Sequence, residues 1–298
     1  MSYSELANPR ATRQILEAYG HDPKYKLGQN FLVDDNVIGH ILALAQLDGA
    51  PSASALPAVL EIGPGIGTLT VALLKNASVI SVERDASLKP ILAETTAMHS
   101  ERFFLLNEDA LKVTREDIEQ ACAALGAPLP SMLVANLPYQ IAATVILDWF
   151  ARFEFLDAMV VMVQSEVADR IAAEVGTKNY GAYTVKLRLH ARAADRFQVS
   201  ASCFFPAPRV ESAVVRLERA HDAAPELVGP ACEVADAAFA QRRKNIRNSM
   251  SSHFDKKTVD ELLAACDIDP KTRGETLDVE TYLRLGRALL ELRVDASV

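Results

Sequence analysis

A glycine-rich turn and three polar residues stand at the ends of successive apolar runs, and their spacing bears on what they could hold. Residues 61 to 70 read EIGPGIGTLT, with Gly63, Gly65 and Gly67 at alternate positions between an apolar run and the start of a helix. Glycines there let the backbone turn tightly and approach a ligand closely. A dinucleotide fingerprint would need its last glycine or alanine where Thr68 stands, so a dinucleotide is not indicated. Glu83 closes the next run, SVISVE, twenty positions after Gly63. At that offset in nucleotide-binding α/β folds, a carboxylate accepts the ribose hydroxyls of an adenosine-containing ligand. Asp109, in NEDALKV after the third run, could accept the exocyclic amine of an adenine ring or cap the turn that follows it.

The fourth run ends differently. In LVANLPYQIA the apolar residues give way to Asn136, Leu137, Pro138 and Tyr139. An amide, a proline and an aromatic ring continue a core poorly but build a rim well. The Asn136 side-chain oxygen, with the backbone carbonyl of Leu137 or Pro138, could accept both hydrogens of an exocyclic amine and so localise its lone pair. Pro138 fixes the local backbone angle. Tyr139 offers a flat face to an unstacked base, worth about 1–3 kcal/mol. A base must leave its stack to reach such a pocket, at a cost of about a few kcal/mol that stacking offsets.

These residues need strands to position them. AVLEIG, SVISVER, RFFLLNED, SMLVANLP and AMVVMVQ each read as a strand buried on both faces, and segments such as TLTVALLKN and ASLKPILAETTAMH between them read as helices. Alternation of this kind predicts parallel βαβ units in a doubly wound, Rossmann-like α/β sheet, with ligands at the carboxyl ends of the strands. FQVSASCFFPAPRVESAVVRLER predicts an antiparallel hairpin that finishes the sheet, and AHDAAPELVGP a linker. Beyond it, ACEVADAAFAQRRKNIRNSMSSHF, KTVDELLAACD and DVETYLRLGRALLELR each have helical periodicity. The expected division is therefore an α/β domain over 1–220 and a small all-helical domain over 221–298. DGAPSASALPA, residues 48–58, reads as a solvated insertion.

With 298 residues, half of them hydrophobic, the chain can bury a substantial core. It has neither an apolar run long enough for a membrane span nor a secretory signal pattern at its start, so a cytoplasmic location is expected. Cys122, Cys203, Cys232 and Cys266 lie far apart, without ligand spacing, and no metal is expected. A net charge of −8 argues against a nucleic-acid coat protein. Arg242, Arg243, Lys244 and Arg247 nevertheless form a basic island, whose spacing suggests a helical stripe facing a phosphate backbone.

EIGPGIG with Glu83, Asp109 and NLPY resembles the S-adenosylmethionine-dependent methyltransferases of the exocyclic adenine amine. KLGQNFL at 26–32, CFFPAPRVESAVV at 203–215 and AFAQRRKNIRNSM at 238–250 narrow the resemblance to the ribosomal RNA adenine dimethyltransferase A family. It implies a class I methyltransferase sheet with a helical RNA-binding domain, methylating two adjacent adenosines near the 3′ end of small-subunit rRNA. It places Asn30 and Leu32 against S-adenosylmethionine with Gly63, Glu83, Asp109 and Asn136, and Phe204 on the flipped base opposite Tyr139, with Phe205 as the neighbouring aromatic. The partner implied is small-subunit rRNA or a 30S precursor, met by a single copy of the chain, with no DNA and no membrane. The family is usually basic, and this chain is not. A large-subunit adenine methyltransferase of the antibiotic-resistance type shares NLPY, but CFFPAPRVESAVV and QRRKNIRNSM disfavour it. A non-catalytic assembly factor would not need the glycine turn, both acids and NLPY together.

Overall fold

Helix α1 (Pro9–Ala18), the two-residue strand β1 (Phe31–Leu32) and α2 (Asp35–Leu44) precede the glycine turn. Strand and helix then alternate through β2 (Ala58–Ile62), α3 (Thr68–Leu73), β3 (Ser78–Val82), α4 (Lys89–Thr95), β4 (Phe103–Leu106), α5 (Arg115–Leu125), β5 (Met132–Asn136), α6 (Ala142–Arg152) and β6 (Ala158–Gln164). After α7 (Ser165–Ile171) and α8 (Ala182–Arg188) come β7 (Ala191–Val199), β8 (Phe204–Phe205) and β9 (Ser212–Arg219). The remaining helices are α9 (Pro225–Phe239), α10 (Ile246–Met250), α11 (Lys256–Ala265) and α12 (Val279–Asp295). This computed structural model describes residues 2–24, 27–49 and 56–295. Lys26, at the head of KLGQNFL, and most of the expected insertion at 48–58 lie outside the described residues.

Among the described residues, seven strands form one sheet in the order β4-β3-β2-β5-β6-β9-β7. The first five are parallel, and β9 runs antiparallel to β6. The mostly parallel sheet expected from the five apolar runs is therefore present. The chain moves outward from β2 to β4 and then returns to the other side of β2 with β5, so the tips of β2 and β5 flank the switch point where such sheets bind ligands. β2 and β3 are buried at every position, whereas β4 is only partly buried throughout. It is an edge strand with one neighbour, which corrects its reading as a strand covered on both faces.

Three further expectations change. The expected terminal hairpin does place β7 beside β9, but its CFF segment leaves the main sheet. As β8 it pairs antiparallel with β1, Phe31 opposite Phe205 and Leu32 opposite Phe204. The predicted linker contains the start of α9, because Pro225 occupies the first helical turn, where its fixed φ suits a helix and no N–H is needed. The long helix predicted across QRRKN is broken. Asn245 caps α10 by accepting from the Asn248 N–H at 2.9 Å, and the Gln241 N–H turns aside to donate to Ser249 Oγ at 3.0 Å.

Two compact units result. One holds the chain up to Ala168 with Ala193–Glu218; the other holds Asp169–Arg192 with the chain from Arg219. The second therefore recruits a segment from before residue 220, and its core joins Tyr180 and Val185 of that segment to Val234, Leu262 and Tyr282. Within it α9 and α12 pack closely: a Cβ on Gly286 would lie 2.7 Å from the Ala231 backbone nitrogen. No helix among the described residues is long and apolar enough to cross a membrane.

Candidate active site

The chain leaves β2 through three glycines with φ of 70°, 60° and 90° at Gly63, Gly65 and Gly67, values an L side chain adopts only with strain. A Cβ on Gly63 would lie 3.3 Å from the Pro138 ring, and one on Gly65 3.0 Å from the Phe31 ring. The turn is thus wedged between the NLPY segment and β1. Gly67 does not line the cleft; its Cα faces Thr95, whose Oγ1 would be 2.8 Å from an added Cβ, so this glycine serves the packing of α4.

Two carboxylates lie below the turn. Glu61, 1% exposed, accepts from the hydroxyls of Thr70 and Ser81, both at 2.7 Å, and burial pushes its carboxyl up to about 7. Spacing alone marks Glu61 only as the start of the turn. An acid inside an otherwise apolar run, with Thr70 and Ser81 in reach, was the available signal. Glu83, 9% exposed at the tip of β3, accepts from the Asp85 N–H at 2.7 Å and is also reached by the backbone N–H of Gly65; burial raises it to about 7. Asp109, beyond β4, caps the turn that follows it and also pairs with a cation. Its Oδ1 accepts from the Leu111 N–H at 3.1 Å as a turn cap, and its Oδ2 stands 3.4 Å from the Arg84 guanidinium.

Asn136 ends β5 opposite Met162 of β6, and its Nδ2 donates to the Asn30 carbonyl at 3.2 Å. The next peptide is fixed by the Leu137 N–H, which donates to the Met162 carbonyl at 3.1 Å. The Pro138 carbonyl accepts from the N–H groups of both Ile141 and Ala142 at 3.1 Å, which starts α6. Farther along that helix, the buried Trp149 indole donates to the Ala110 carbonyl at 3.0 Å and Arg152 Nη1 to the Val113 carbonyl at 2.7 Å. Tyr139 is half-buried, with its hydroxyl 2.7 Å from Ser212 Oγ, and burial raises its pKa.

An N-terminal segment borders the opposite side. Lys24 Nζ and Gln29 Nε2 reach the Asp85 carboxylate at 2.7 and 2.8 Å. Burial alone would raise the pKa of Asp85, but the hydrogen bonds from Lys24, Ser87 and Gln29 outweigh it and hold the group well below the usual carboxylate range. Asp85, two places beyond Glu83, is another residue that sequence reasoning missed.

Together these elements enclose a cleft of about 1120 Å³, its open mouth included. Asn30, Leu32, Gly63, Gly65, Glu83, Asp109 and the whole of Asn136–Tyr139 line it. Phe204 does not. It is 4% exposed and packed in the apolar core with Leu32 and Val214, because the alternation of β8 turns it inward. Phe205 points the other way, beneath the Arg13 guanidinium 5.2 Å from its ring centre, and it lines no part of the cleft either. The stacking face expected of Phe204 is thus corrected.

In the second unit the basic island is not a helical stripe. Residues 241–244 form a turn, and two of the four cations are engaged. The Arg242 guanidinium donates to the carbonyls of Lys178 and Tyr180, and Arg247 forms a two-pronged pair with Asp260 at 2.5 and 2.7 Å. Arg243 and Lys244 are exposed.

The family model for ribosomal RNA adenine dimethylases matches residues 20–289. The chain belongs to this family. It is accordingly a methyltransferase enzyme, as the motifs implied. Ribosomal RNA small subunit methyltransferase A of Geobacillus kaustophilus is 38% identical over 97% of this chain and 99% of its own length. Its counterpart in Corynebacterium efficiens is 39% identical over 95% and 96%. Among solved structures, a dimethyladenosine transferase from Plasmodium falciparum aligns with a TM-score of 0.69 at 23% identity, covering 89% of this chain and 98% of that one. The 23S rRNA methyltransferase ErmE aligns at 0.60 and 24% identity, over 87% and 99%. Both show the Rossmann-like class I fold of the rRNA adenine dimethylases.

Proposed function

We propose that the protein transfers methyl groups from S-adenosylmethionine to the N6 amines of two adjacent adenosines in the 3′-terminal hairpin of small-subunit rRNA. The product is N6,N6-dimethyladenosine, formed in the cytoplasm during small-subunit assembly. One observation carries the reading: the tips of β2, β3, β4 and β5 bring Gly63 and Gly65, Glu83, Asp109 and Asn136–Tyr139 to a single cleft.

The cleft suits S-adenosylmethionine. A buried carboxylate facing open space is unfavourable unless donors reach it, and the ribose hydroxyls would add donors to those Glu83 already has from backbone N–H groups. Asp109 holds the adenine amine, Asn30 and Leu32 border the adenosyl group, and Gly63 and Gly65 admit it close to the backbone. When bound, the cofactor supplies an electrophilic methyl group, so little acid or base catalysis is required.

What the protein supplies is geometry. The target amine is a weak nucleophile because its lone pair is delocalised into the ring. With the Nδ2 of Asn136 committed to Asn30, its carboxamide oxygen is the acceptor for one amine hydrogen. Of the two carbonyls considered for the other hydrogen, that of Pro138 already serves two N–H groups, so the role falls to Leu137. Both acceptors sit on one strand end, and holding the amine in line at near-attack distance is the main source of rate. Tyr139 provides the stacking face alone, without Phe204. RNA phosphates are met chiefly by Arg243 and Lys244, and the protein acts as a single copy.

Incubation with labelled S-adenosylmethionine and undermethylated small subunits, followed by mapping of the labelled nucleotides, tests this reading. Label in two adjacent adenosines of the 3′-terminal hairpin is expected. Label confined to large-subunit RNA would overturn it.

A further inference from the structure

Ser212 lines no part of the cleft and lies far from NLPY in sequence, yet its hydroxyl is the partner of the Tyr139 phenol at 2.7 Å. It is fully buried at the start of β9. A buried hydroxyl needs a partner, and this one meets the polar tip of the ring that faces the base pocket. The strand pairing gives the contact its meaning. β9 is registered on β6, Ser212 opposite Gln164. Two residues earlier on β6, Met162 stands opposite Asn136 and accepts the Leu137 N–H at 3.1 Å. The amine acceptors and the stacking ring are therefore both located from the same pair of central strands, the former through Met162 and the latter through Ser212.

We propose that Ser212 is a positioning residue of the methyl transfer: through the Tyr139 hydroxyl it fixes where the long axis of the stacking ring points, and so where the target adenine lies relative to Asn136 and Leu137. This rests on the functional reading above. The interaction ties the CFFPAPRVESAVV segment, whose Phe204 is turned into the core, to the base pocket by a serine instead of a phenylalanine. It does not touch the cofactor half of the cleft.

The test uses Ser212→Ala, Tyr139→Phe and the double variant in the full-length protein, measuring methyl transfer to undermethylated small subunits and, by calorimetry, affinity for S-adenosylhomocysteine. Each single variant removes one side of the same hydrogen bond. Each should lower kcat/KM for the RNA substrate by about tenfold, and the double variant should be no worse than either. Cofactor affinity should stay at the wild-type value, which also shows that the variants fold. The inference is overturned if Ser212→Ala transfers methyl groups as the wild type does, if the two losses multiply, or if cofactor affinity falls in step with transfer in both variants. Should the wild-type protein itself fail to methylate small subunits, the functional reading and this inference fall together, whereas normal wild-type transfer with an unimpaired Ser212→Ala removes the inference alone.

Discussion

Glu83→Gln separates the role of charge from that of shape in the cofactor half of the cleft. Glu83 accepts from the backbone N–H groups of Asp85 and Gly65 and is raised by burial to about 7. A glutamine fits the same space, but must turn its NH₂ toward one of those donors or toward a ribose hydroxyl. At least one charge-assisted hydrogen bond is lost, about 1.5–3 kcal/mol, so affinity for S-adenosylhomocysteine should fall roughly 10- to 150-fold. The pH dependence is more diagnostic. On the proposed ribose role, only the ionised carboxylate would accept both hydroxyls, and the apparent dissociation constant would rise as the ionised fraction falls. Wild-type binding should therefore weaken roughly tenfold per pH unit below about 7 and level off above it. Stability moves the other way. The folded pKa lies above the ordinary value of 4.5, so the contribution of Glu83 is fully present below that value and is lost as pH rises through about 7. The variant should then gain thermal stability relative to wild type on the alkaline side. Calorimetric titrations between about pH 5.5 and 8.5 read the binding effect directly. Glu61 titrates in the same region, so the pH slope must vanish in Glu83→Gln with Glu61 intact; a variant that kept the wild-type slope would refute the assignment.

Asn136→Ala should leave S-adenosylhomocysteine affinity within a few-fold of wild type while methyl transfer to small subunits falls by about two to four orders of magnitude; equal losses in both would contradict its role. Gly65→Ala places a side chain at φ 60° and 3.0 Å from the Phe31 ring, and a left-handed residue costs about 1–2 kcal/mol, so the thermal midpoint should drop by roughly 2–8 °C. An unchanged midpoint in scanning calorimetry would mean that the turn relaxes. Replacing Arg243 and Lys244 together by Ala should reduce the salt dependence of RNA binding by a slope of about one to two. Arg247→Ala, whose charge is already offset by Asp260, should change that slope less, and the reverse ranking in filter-binding titrations would argue against the exposed turn as the contact.

Much of the sheet was legible because its strands announce themselves. β2, β3, β5 and β6 are short apolar runs that a parallel sheet must cover on both sides, and a residue at the end of each run falls at the ligand face. Glu83, Asp109 and Asn136 could thus be assigned to one cleft from spacing alone. What escaped were pairings that pattern does not encode. β1 and β8 have two residues each and meet across most of the chain, so no periodicity marks them, and the inward turn of Phe204 follows only from that register. The break after α9 contains neither glycine nor proline. It is made by Asn245 and by a serine hydroxyl arriving from Ser249, and helical periodicity runs through both without a mark. The same holds for Glu61, Asp85 and Ser212, whose roles depend on partners distant in sequence.

Helix α6 begins at the Pro138 carbonyl and, through Trp149 and Arg152, grips the backbone of the segment that carries Asp109. One helix therefore sets the gap between two jaws of the cleft, those proposed to receive the RNA base and the donor's purine. Loosening it anywhere along its length, even at an indole that no substrate touches, would widen both jaws together and blur the alignment of the two reactants before either lost its own site.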